Sequence, residues 1–363
     1  MPFPGRIVVF LPNWIGDVVM ATPALRGLRE HFGSSRIAHV GKPAALEVLE
    51  GLGLSDESVP YRPGAWSPLG DVVRLSWRVR RGRYDLGVLL PNSFRVALTA
   101  ALAGVTRVAG YARDGRSWLL DDKVPPRRDE QGRFVPVSAV DYYIALAESL
   151  GARCGDRRMR LAATEADRQA ADAILAQAGM DGQHPIVMLN PGASFGVSKI
   201  WHPTRFAALA DMLVDRRGAA VIINAAPSER EVARQVAAAM RCGPAVNMAE
   251  FDNSIGLLKG LLCRCNLLIT NDTGARHVAA ALGVPVVTVF GSTDPRWSAI
   301  DYELERIVRL DVPCSPCQEP ICHQPPGPAY HRCMEAITPE MVLPRAGELL
   351  DRAARGMRRA DRD

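Results

Sequence analysis

Residues 269–291 have the sequence ITNDTGARHVAAALGVPVVTVFG, and this stretch says more about the fold than any other part of the chain. The pattern predicts a strand, a polar turn, a short helix and a second buried strand. The turn contains Asp272, Thr273 and Gly274, and His277 follows on the first turn of the helix. Free N–H groups and the positive end of a helix dipole make such a turn a binding site for anions, typically phosphate. We therefore expect a nucleotide at this turn.

Strand and helix patterns alternate along both halves of the chain, which is typical of parallel sheets covered by helices on both faces. A length of 363 residues exceeds one ordinary core and indicates two domains. We predict an N-terminal domain over 1–160, a C-terminal domain over 161–340, and a final helix with a tail over 341–363. The pattern also predicts one continuous helix over 17–31 and an exposed irregular loop over 121–136.

Composition excludes several classes of protein. The chain is 48% hydrophobic and 23% charged, and no apolar run approaches the roughly 18–20 residues that cross a bilayer. The first apolar stretch is also too short for a secretory signal, so we expect a cytosolic protein. A net charge of +5 is modest, and no nucleic-acid-binding motif is present, so nucleic acid is not an expected partner.

Positive charge is concentrated in the N-terminal half, where residues 1–160 contain 23 Lys and Arg against 16 Asp and Glu. The densest cluster consists of five arginines, namely Arg74, Arg78, Arg80, Arg81 and Arg83. The cluster is either a solvated helix face or a contact for an anionic partner. Such a partner is a phosphorylated acceptor or a membrane surface.

Two more polar loops follow predicted strands, where α/β folds place their chemistry. The loop over 12–17 ends in Asp17, which is either an N-cap or a carboxylate able to accept a proton from a substrate hydroxyl. The loop over 190–201 contains small residues, hydroxyls and Lys199 but lacks the spacing of a Walker loop. Lys199 is either a solvated side chain or a contact for an oxyanion, and His277 is either a structural or a ligand-binding histidine.

Four of the eight cysteines are clustered in a Pro-rich segment over 314–333, namely Cys314, Cys317, Cys322 and Cys333. A C-x2-C pair and two further thiols are consistent with a structural zinc site. Disulfides and free thiols are the alternatives, although thiols of a cytosolic protein are mostly reduced. In each case the expected role of the segment is structural rather than catalytic.

Four motifs together carry a family resemblance: LPNWIGD at 11–17, NPGA with KIW at 190–201, NDTGARH at 271–277 continuing to FGSTDP at 290–295, and CSPC with HRC at 314–333. On these motifs the chain resembles the ADP-heptose–lipopolysaccharide heptosyltransferases, glycosyltransferase family 9. The matches extend from residue 7 to about residue 341, nearly the whole chain. The cysteine cluster favours the subgroup that adds the second heptose.

The resemblance implies a GT-B fold, in which two Rossmann-like, doubly wound parallel-sheet domains face each other across a cleft. It implies that the N-terminal domain binds the acceptor and the C-terminal domain binds the nucleotide sugar. The implied reaction is an inverting, metal-independent transfer of heptose from ADP-heptose to the heptosyl-Kdo-lipid A inner core of lipopolysaccharide, with no cofactor required for catalysis. A lipid-linked acceptor further implies a position at the cytosolic face of the inner membrane, which the N-terminal arginines would suit.

The resemblance also assigns roles to individual residues. Asp17 matches the catalytic base, and Asn13 and Trp14 lie in the same motif on the acceptor side. The residues that match the donor side are Ser198, Lys199, Asp272, Thr273, Gly274 and His277, with Glu229 as an approximate match for an acidic residue near the ribose. On this assignment, replacing Lys199 is expected to weaken use of the donor without changing thermal stability.

Three other functions share this type of sheet. A nicotinamide-dependent oxidoreductase would need a G-x-G-x-x-G turn after a strand, but Gly16 stands alone after the first strand. Another GT-B enzyme, either a different glycosyltransferase or a sugar-nucleotide epimerase, remains an alternative because a fold does not define a reaction. A non-catalytic nucleotide- or lipid-binding protein is the third.

Overall fold

The structure is a computed structural model that describes residues 3–62, 64, 68–180, 182 and 184–360. The chain divides into two compact units. The first comprises Met1–Leu161 together with Arg296–Asp301, and the second comprises Ala162–Pro295 and Tyr302–Asp363. The cleft that the sequence predicts between two domains stays a prediction.

The first unit is built on a six-stranded parallel sheet with the strand order β3-β2-β1-β4-β5-β6. Its strands are β1 (Arg6–Phe10), β2 (Arg36–Gly41), β3 (Glu57–Pro60), β4 (Leu86–Leu89), β5 (Arg107–Tyr111) and β6 (Asp122–Val124). Its helices are α1 (Ile15–Met20), α2 (Thr22–His31), α3 (Pro43–Val48), α4 (Pro68–Arg80), α5 (Phe94–Leu102) and α6 (Ala139–Ser149). β1 and β4 are continuous apolar runs that are almost wholly buried, as expected for strands covered on both faces.

Two predictions about the first unit were wrong. The single helix predicted over 17–31 is two helices, α1 and α2, separated at Ala21. The break follows from Pro23, which has no N–H to donate to the carbonyl of Val19; the hydroxyl of Thr22 donates to that carbonyl instead, at 2.7 Å. The loop predicted over 121–136 contains β6, a three-residue edge strand too short to give a period-two pattern.

The second unit repeats this topology, with a six-stranded parallel sheet in the order β12-β11-β10-β7-β8-β9. Its strands are β7 (Ile186–Asn190), β8 (Ala220–Ile223), β9 (Val246–Asn247), β10 (Leu267–Asn271), β11 (Val286–Phe290) and β12 (Glu305–Arg309). Its helices are α7 (Glu165–Gln177), α8 (Pro203–Arg217), α9 (Arg230–Ala239), α10 (Ile255–Leu262), α11 (Gly274–Ala281), α12 (Arg332–Glu335) and α13 (Pro339–Ala360). The core around Trp201 and Phe206 joins the sheet to α8 and α13.

Strand order determines where each unit can bind a ligand. In both sheets the first three strands form one half and the last three form the other, and each half is built outward from the centre of the sheet. The first strand of each half is therefore central, so β1 lies beside β4 and β7 lies beside β10. Ligands of such sheets bind at this switch point, outside the carboxyl ends of the two central strands. The loops after β1, β7 and β10 are the three polar loops that the sequence indicates. Among the described residues, no helix combines the length and the hydropathy needed to span a bilayer.

Candidate active site

The turn at 272–277 follows β10 directly and begins α11, as the sequence predicts. Thr273 precedes the helix in an extended conformation, and its side chain makes no capping hydrogen bond to the helix. The hydroxyl of Thr273 is instead directed across the sheet edge, within 3.2 Å of the amide of Asn190 and 3.1 Å of the hydroxyl of Thr270. The side chain of Thr273 therefore does not cap α11, and the N-terminus of this helix, with its positive dipole end, suits an anion.

A charged cluster joins this turn to the loop after β7. The Nζ atom of Lys199 lies 2.6 Å from Oδ2 of Asp272 and 3.1 Å from the Asp272 carbonyl oxygen. The hydroxyl of Thr293 donates to the same Oδ2 at 2.8 Å, and the guanidinium of Arg276 lies 3.7 Å from Oδ1. Burial alone would raise the pKa of Asp272, but Lys199 and Arg276 outweigh burial and lower it. Asp272 is thus a buried carboxylate that positions a lysine at the helix N-terminus.

Arg276 is fully buried and is fixed by its own partners. Its Nε and NH2 atoms donate to the carboxylate of Glu305 at 2.6 Å and 2.9 Å, and the hydroxyl of Thr288 donates to the same carboxylate at 2.7 Å. Its guanidinium also lies 5.1 Å from the centre of the Phe290 ring. A charge-assisted bidentate pair of this kind is rigid. Arg276 is therefore held in one position behind Asp272, and Glu305 balances much of its charge.

A ladder of side-chain amides connects the ends of three strands. Asn253 donates to Asn224 at 2.9 Å, and Asn224 donates to Asn190 at 2.7 Å. Asn190 in turn donates to the hydroxyls of Thr270 and Thr273 at 3.1 Å and 3.2 Å. The ladder satisfies polar groups that would otherwise be buried without partners, and it fixes the sheet edge on which the turn rests. Sequence reasoning missed it, because only the fold brings these amides together.

His277 is almost completely buried, and its charged form is disfavoured. Burial first, and the adjacent Arg276 second, lower the pKa of His277 to about 3. The imidazole is therefore neutral at physiological pH. Its Nδ1 atom has no hydrogen-bond partner among the described residues. A buried polar atom without a partner is costly, so Nδ1 is a group that a bound ligand could satisfy.

Glu229 lies against the loop after β7. A Cβ atom on Gly192 would come within 2.1 Å of the Glu229 carboxylate, so only glycine leaves room for this side chain. The hydroxyl of Ser194 donates to Glu229 at 3.4 Å. Burial raises the pKa of Glu229. Glu229, which matches the family's acidic residue only approximately, thus lies against the loop that contains Lys199.

The hydroxyl of Ser198 is engaged in loop contacts: it donates to the carbonyl of Glu319 at 2.5 Å and lies 3.0 Å from the hydroxyl of Ser292. Nε2 of His331 lies 2.9 Å from the carbonyl oxygen of Ser198. The backbone N–H groups of Cys317 and Gln318 donate to the carbonyl of Ser292 at 3.0 Å and 2.9 Å. The cysteine-rich segment over 314–333 therefore connects the Lys199 loop to the loop after β11.

The four clustered cysteines line one small cavity together with two histidines, the members being Cys314, Cys317, Cys322, Cys333, His323 and His331. All four thiols are free rather than joined in disulfides. Within the described part of the chain, no three Cys, His, Asp or Glu side chains are arranged so as to hold a metal ion. Burial and the three neighbouring thiols raise the pKa of Cys333 to about 11. The expected zinc geometry is therefore not formed, although the cysteines do converge.

In the first unit, the predicted base follows the switch-point strand β1. Trp14, not Asp17, is the N-cap residue of α1, and Asp17 occupies the third position of that helix, so the N-cap interpretation of Asp17 was wrong. Asn13 and Trp14 are exposed, whereas Asp17 is partly buried. Burial, and the nearby Asp17 charge, raise the pKa of Tyr143 on α6. Asp17 thus lies just after β1, at the switch point of its sheet.

The same edge contains a buried arginine that the sequence did not single out. Arg116 is completely buried, and its guanidinium donates to the carbonyls of Pro91 and Tyr111 and to the side chain of Asn92. The hydroxyl of Tyr142 donates to the same Asn92 oxygen at 3.0 Å. These contacts brace the loops after β4 and β5. No local motif could reveal them, since the residues are far apart in sequence.

Two Rossmann-like parallel sheets, each with polar loops at its switch point, define an α/β protein of the class that places ligands at this edge. The family model described as glycosyltransferase family 9 (heptosyltransferase) matches residues 72–326. The chain belongs to this family and is therefore a glycosyltransferase. Its fold of two parallel-sheet units is the GT-B fold, as predicted.

Individual relatives agree with the family. The chain is 26% identical to lipopolysaccharide heptosyltransferase 2 of Escherichia coli K12 over 95% of this chain and 98% of that one. It is 27% identical to lipooligosaccharide heptosyltransferase 2 of Haemophilus influenzae over 95% and 99% of the two chains. The solved structure of E. coli ADP-heptose LPS heptosyltransferase II superposes with a TM-score of 0.76 at 26% identity, covering 96% of this chain and 99% of that chain.

Proposed function

We propose that this protein transfers heptose from ADP-heptose to the heptosyl-Kdo-lipid A inner core during lipopolysaccharide biosynthesis. Relatives that match nearly the whole chain carry the names lipopolysaccharide and lipooligosaccharide heptosyltransferase 2. The observation that carries the proposal is the Lys199–Asp272 pair, 2.6 Å long, at the N-terminus of α11. This pair presents a cation and a helix dipole at the switch point of the second sheet, where a nucleotide diphosphate would bind.

In this proposal the second unit binds the donor, with the predicted C-terminal domain over 161–340 as the donor domain. Lys199 and the N–H groups of Thr273 and Gly274 contact the diphosphate, and the unpartnered Nδ1 of His277 is satisfied by the ligand. Ser198 and Asp272 position Lys199, and Glu229 contacts the ribose. As the glycosidic bond breaks, negative charge develops on the leaving ADP, and fixed positive charge stabilises it without reorganisation. Because this chain supplies that charge, the transfer is proposed to be metal-independent.

The predicted N-terminal domain over 1–160 is proposed to bind the acceptor, with Asn13 and Trp14 in contact with it. Asp17 accepts the proton of the attacking hydroxyl while that oxygen bonds to the anomeric carbon of heptose and ADP departs. A single displacement of this kind inverts the anomeric configuration. General base catalysis by a positioned carboxylate contributes about 10²–10⁴-fold in rate.

The acceptor is lipid-linked, so the proposed site of action is the cytosolic face of the inner membrane, with the protein attached peripherally and nucleic acid not a partner. An excess of Lys and Arg over 1–160 supports this position, because phosphates decorate both the acceptor and the membrane.

A structural zinc ion at the four clustered cysteines also remains a proposal. Thiolates with a C-x2-C pair suit zinc chemically, and the four thiols already line one cavity. Metal analysis of protein purified without chelators should give one zinc per chain, with none in a Cys314→Ser/Cys317→Ser variant. A metal-free wild-type protein with its thiols fully titratable would contradict the proposal.

The transfer itself is tested with ADP-heptose and a monoheptosylated core acceptor, followed by mass spectrometry. We expect the acceptor to gain the mass of one heptose, and proton NMR of the product to show an inverted anomeric centre. Addition of EDTA should leave the rate unchanged if no divalent ion takes part. Absence of transfer with both substrates present, or heptose release without acceptor modification, would refute the proposal.

A further inference from the structure

The exposed face of α4 has an unusual composition. Leu69, Val73 and Trp77 follow one another at intervals of one helical turn and are 66%, 57% and 64% exposed. On the opposite face, Leu75 and Val79 are buried in the core of the first unit. Single exposed apolar residues are common on protein surfaces, but a row along one helix indicates a contact surface.

Positive charge surrounds this row. The exposed arginines on α4 and in the turn that follows it are Arg74, Arg78, Arg80, Arg81 and Arg83. The guanidinium of Arg81 lies 4.3 Å from the centre of the Trp77 ring. Trp77 and the last three arginines line an open groove at the C-terminal end of α4. The result is a surface that combines an apolar row with cations of one sign.

Two carboxylates near this surface, Asp71 and Asp85, offset only part of the charge of the five arginines. Asp71 is buried, and its oxygens accept the N–H of Gly64 at 2.8 Å and 2.9 Å and a bond from Arg74 at 3.2 Å. Asp85 is exposed and lines the groove, and its carboxylate accepts the backbone N–H of Arg6 at 2.9 Å. Of these two carboxylates, Asp71 is the one that forms an ion pair with an arginine of the cluster among the described residues, namely with Arg74. The remaining arginines of the cluster keep their positive charge toward solvent.

We infer that the exposed face of α4 docks on an anionic phospholipid bilayer. Leu69, Val73 and Trp77 would enter the boundary between headgroups and acyl chains, and the arginines would bind lipid phosphates. Amphipathic helices that lie in a membrane interface show this combination of a narrow apolar face with flanking cations and a tryptophan. The inference rests on the proposed function, because docking on a bilayer would bring the enzyme to its lipid-linked acceptor.

Docking is measured by co-sedimentation of the full chain with vesicles, without donor or acceptor. We expect binding to vesicles of phosphatidylethanolamine with 30 mol% phosphatidylglycerol (roughly the regime of anionic inner leaflets) and little binding to pure phosphatidylcholine. An arginine near such a surface contributes about fivefold in partitioning, so Arg80→Ala/Arg81→Ala should bind about 25-fold more weakly. Val73→Ser/Trp77→Ser should lose about tenfold. Raising the salt to about 0.5 M should release the protein.

The controls are single changes of the same two types away from α4: Arg168→Ala on the exposed side of α7, and Ile321→Ser, which is 59% exposed in the wild type. Both should bind vesicles like the wild type. Transfer to acceptor in detergent micelles should be unchanged in the α4 variants, whereas transfer to vesicle-borne acceptor should fall with docking. If wild-type transfer fails but docking holds, only the proposed function is refuted.

Three outcomes would overturn the inference. The first is no binding of the wild type to anionic vesicles, and the second is equal binding by the α4 variants and the controls. The third is that the chain does not bind vesicles but binds nucleic acid or another protein, and that this binding depends on the α4 arginines.

Discussion

Replacement of Lys199 by methionine separates a structural from a ligand-binding role of this residue. Methionine is unbranched and only one atom shorter than lysine, so it keeps most of the side-chain volume but removes the charge 2.6 Å from Asp272. Breaking a buried ion pair from one side costs about 3–5 kcal/mol, and the remaining contacts of Asp272 with Thr293 and Arg276 place this case near the lower limit, about 3 kcal/mol. For a unit of this size, the melting temperature should fall by roughly 6–12 °C. Thermal stability should therefore change, contrary to what the sequence alone predicts.

The pH dependence follows from the sign of the Asp272 shift. In the wild type the pKa of Asp272 is lowered, so its contribution to stability is present above its ordinary pKa and is lost as the pH falls through the folded-state value. Burial raises the pKa of Asp272, and without Lys199 mainly the weaker attraction of Arg276 opposes this effect. The pKa of Asp272 should therefore rise in the variant. The stability difference between wild type and Lys199→Met should thus be largest at neutral pH and shrink under acidic conditions. Thermal melts from about pH 7 to pH 3 measure it.

A double variant tests the role in binding. Lys199→Met/Asp272→Asn removes both charges, which restores stability in many buried pairs, but it cannot restore a cation for the diphosphate. A charge-assisted contact is worth about 1.5–3 kcal/mol, so ADP should bind about 10–100-fold more weakly to both variants in calorimetric titrations. If either variant binds ADP as tightly as the wild type, Lys199 is only the structural partner of Asp272, and the proposed donor site is wrong.

Three further substitutions test other parts of the site. Asp17→Asn should lower the turnover number by about 10²–10⁴-fold while ADP affinity and melting temperature stay at wild-type values; near-normal turnover would rule out Asp17 as the base. The pKa of buried His277 is lowered to about 3, so stability is lost as the pH falls from about 6.5 toward that value. A His277→Gln variant should therefore show a shallower fall in melting temperature between these pH values, and an unchanged slope would argue against a neutral, buried imidazole. In Gly196→Ala the new Cβ would lie 2.3 Å from the carbonyl oxygen of Pro320, so melting temperature and ADP affinity should fall together, by about 1–3 kcal/mol in stability; a melt and a titration equal to wild type would show that the backbone approach is not needed.

The elements with long apolar runs or strong periodicity could be predicted from the sequence. The sequence pattern predicts a helix over 94–102 and a strand over 107–111, which are the observed bounds of α5 and β5. It predicts strands over 6–11, 185–189 and 267–270 before the three polar loops, and β1, β7 and β10 differ from these by no more than one residue at either end. The short outer strands β3, β6, β9 and β12 were missed, because strands at or near a sheet edge are only partly buried and leave no continuous apolar signal. The sequence pattern predicted one helix in place of α1 and α2, because the apolar periodicity continues across the break at Ala21.

The candidate site shows the same division. Lys199 and Asp272 were both named from sequence, yet their pairing was not, because it depends on two loops that are 73 residues apart in the chain. The amide ladder through Asn190 and the buried Arg116 were missed for that reason as well. Asp17 was correctly placed after the first strand, but the assignment of its helical position was wrong, since the chain enters the helix three residues earlier at Trp14.

The segment over 314–333 has almost no regular secondary structure, yet it is bonded to both the Lys199 loop and the loop after β11. The distance between those two loops therefore depends on a coil that contributes no strand to the sheet. A graft of this coil from a relative would alter nucleotide affinity while every strand and its register stayed intact. A change in donor preference could therefore be sought in this coil, with the residues proposed to bind the sugar nucleotide left unchanged.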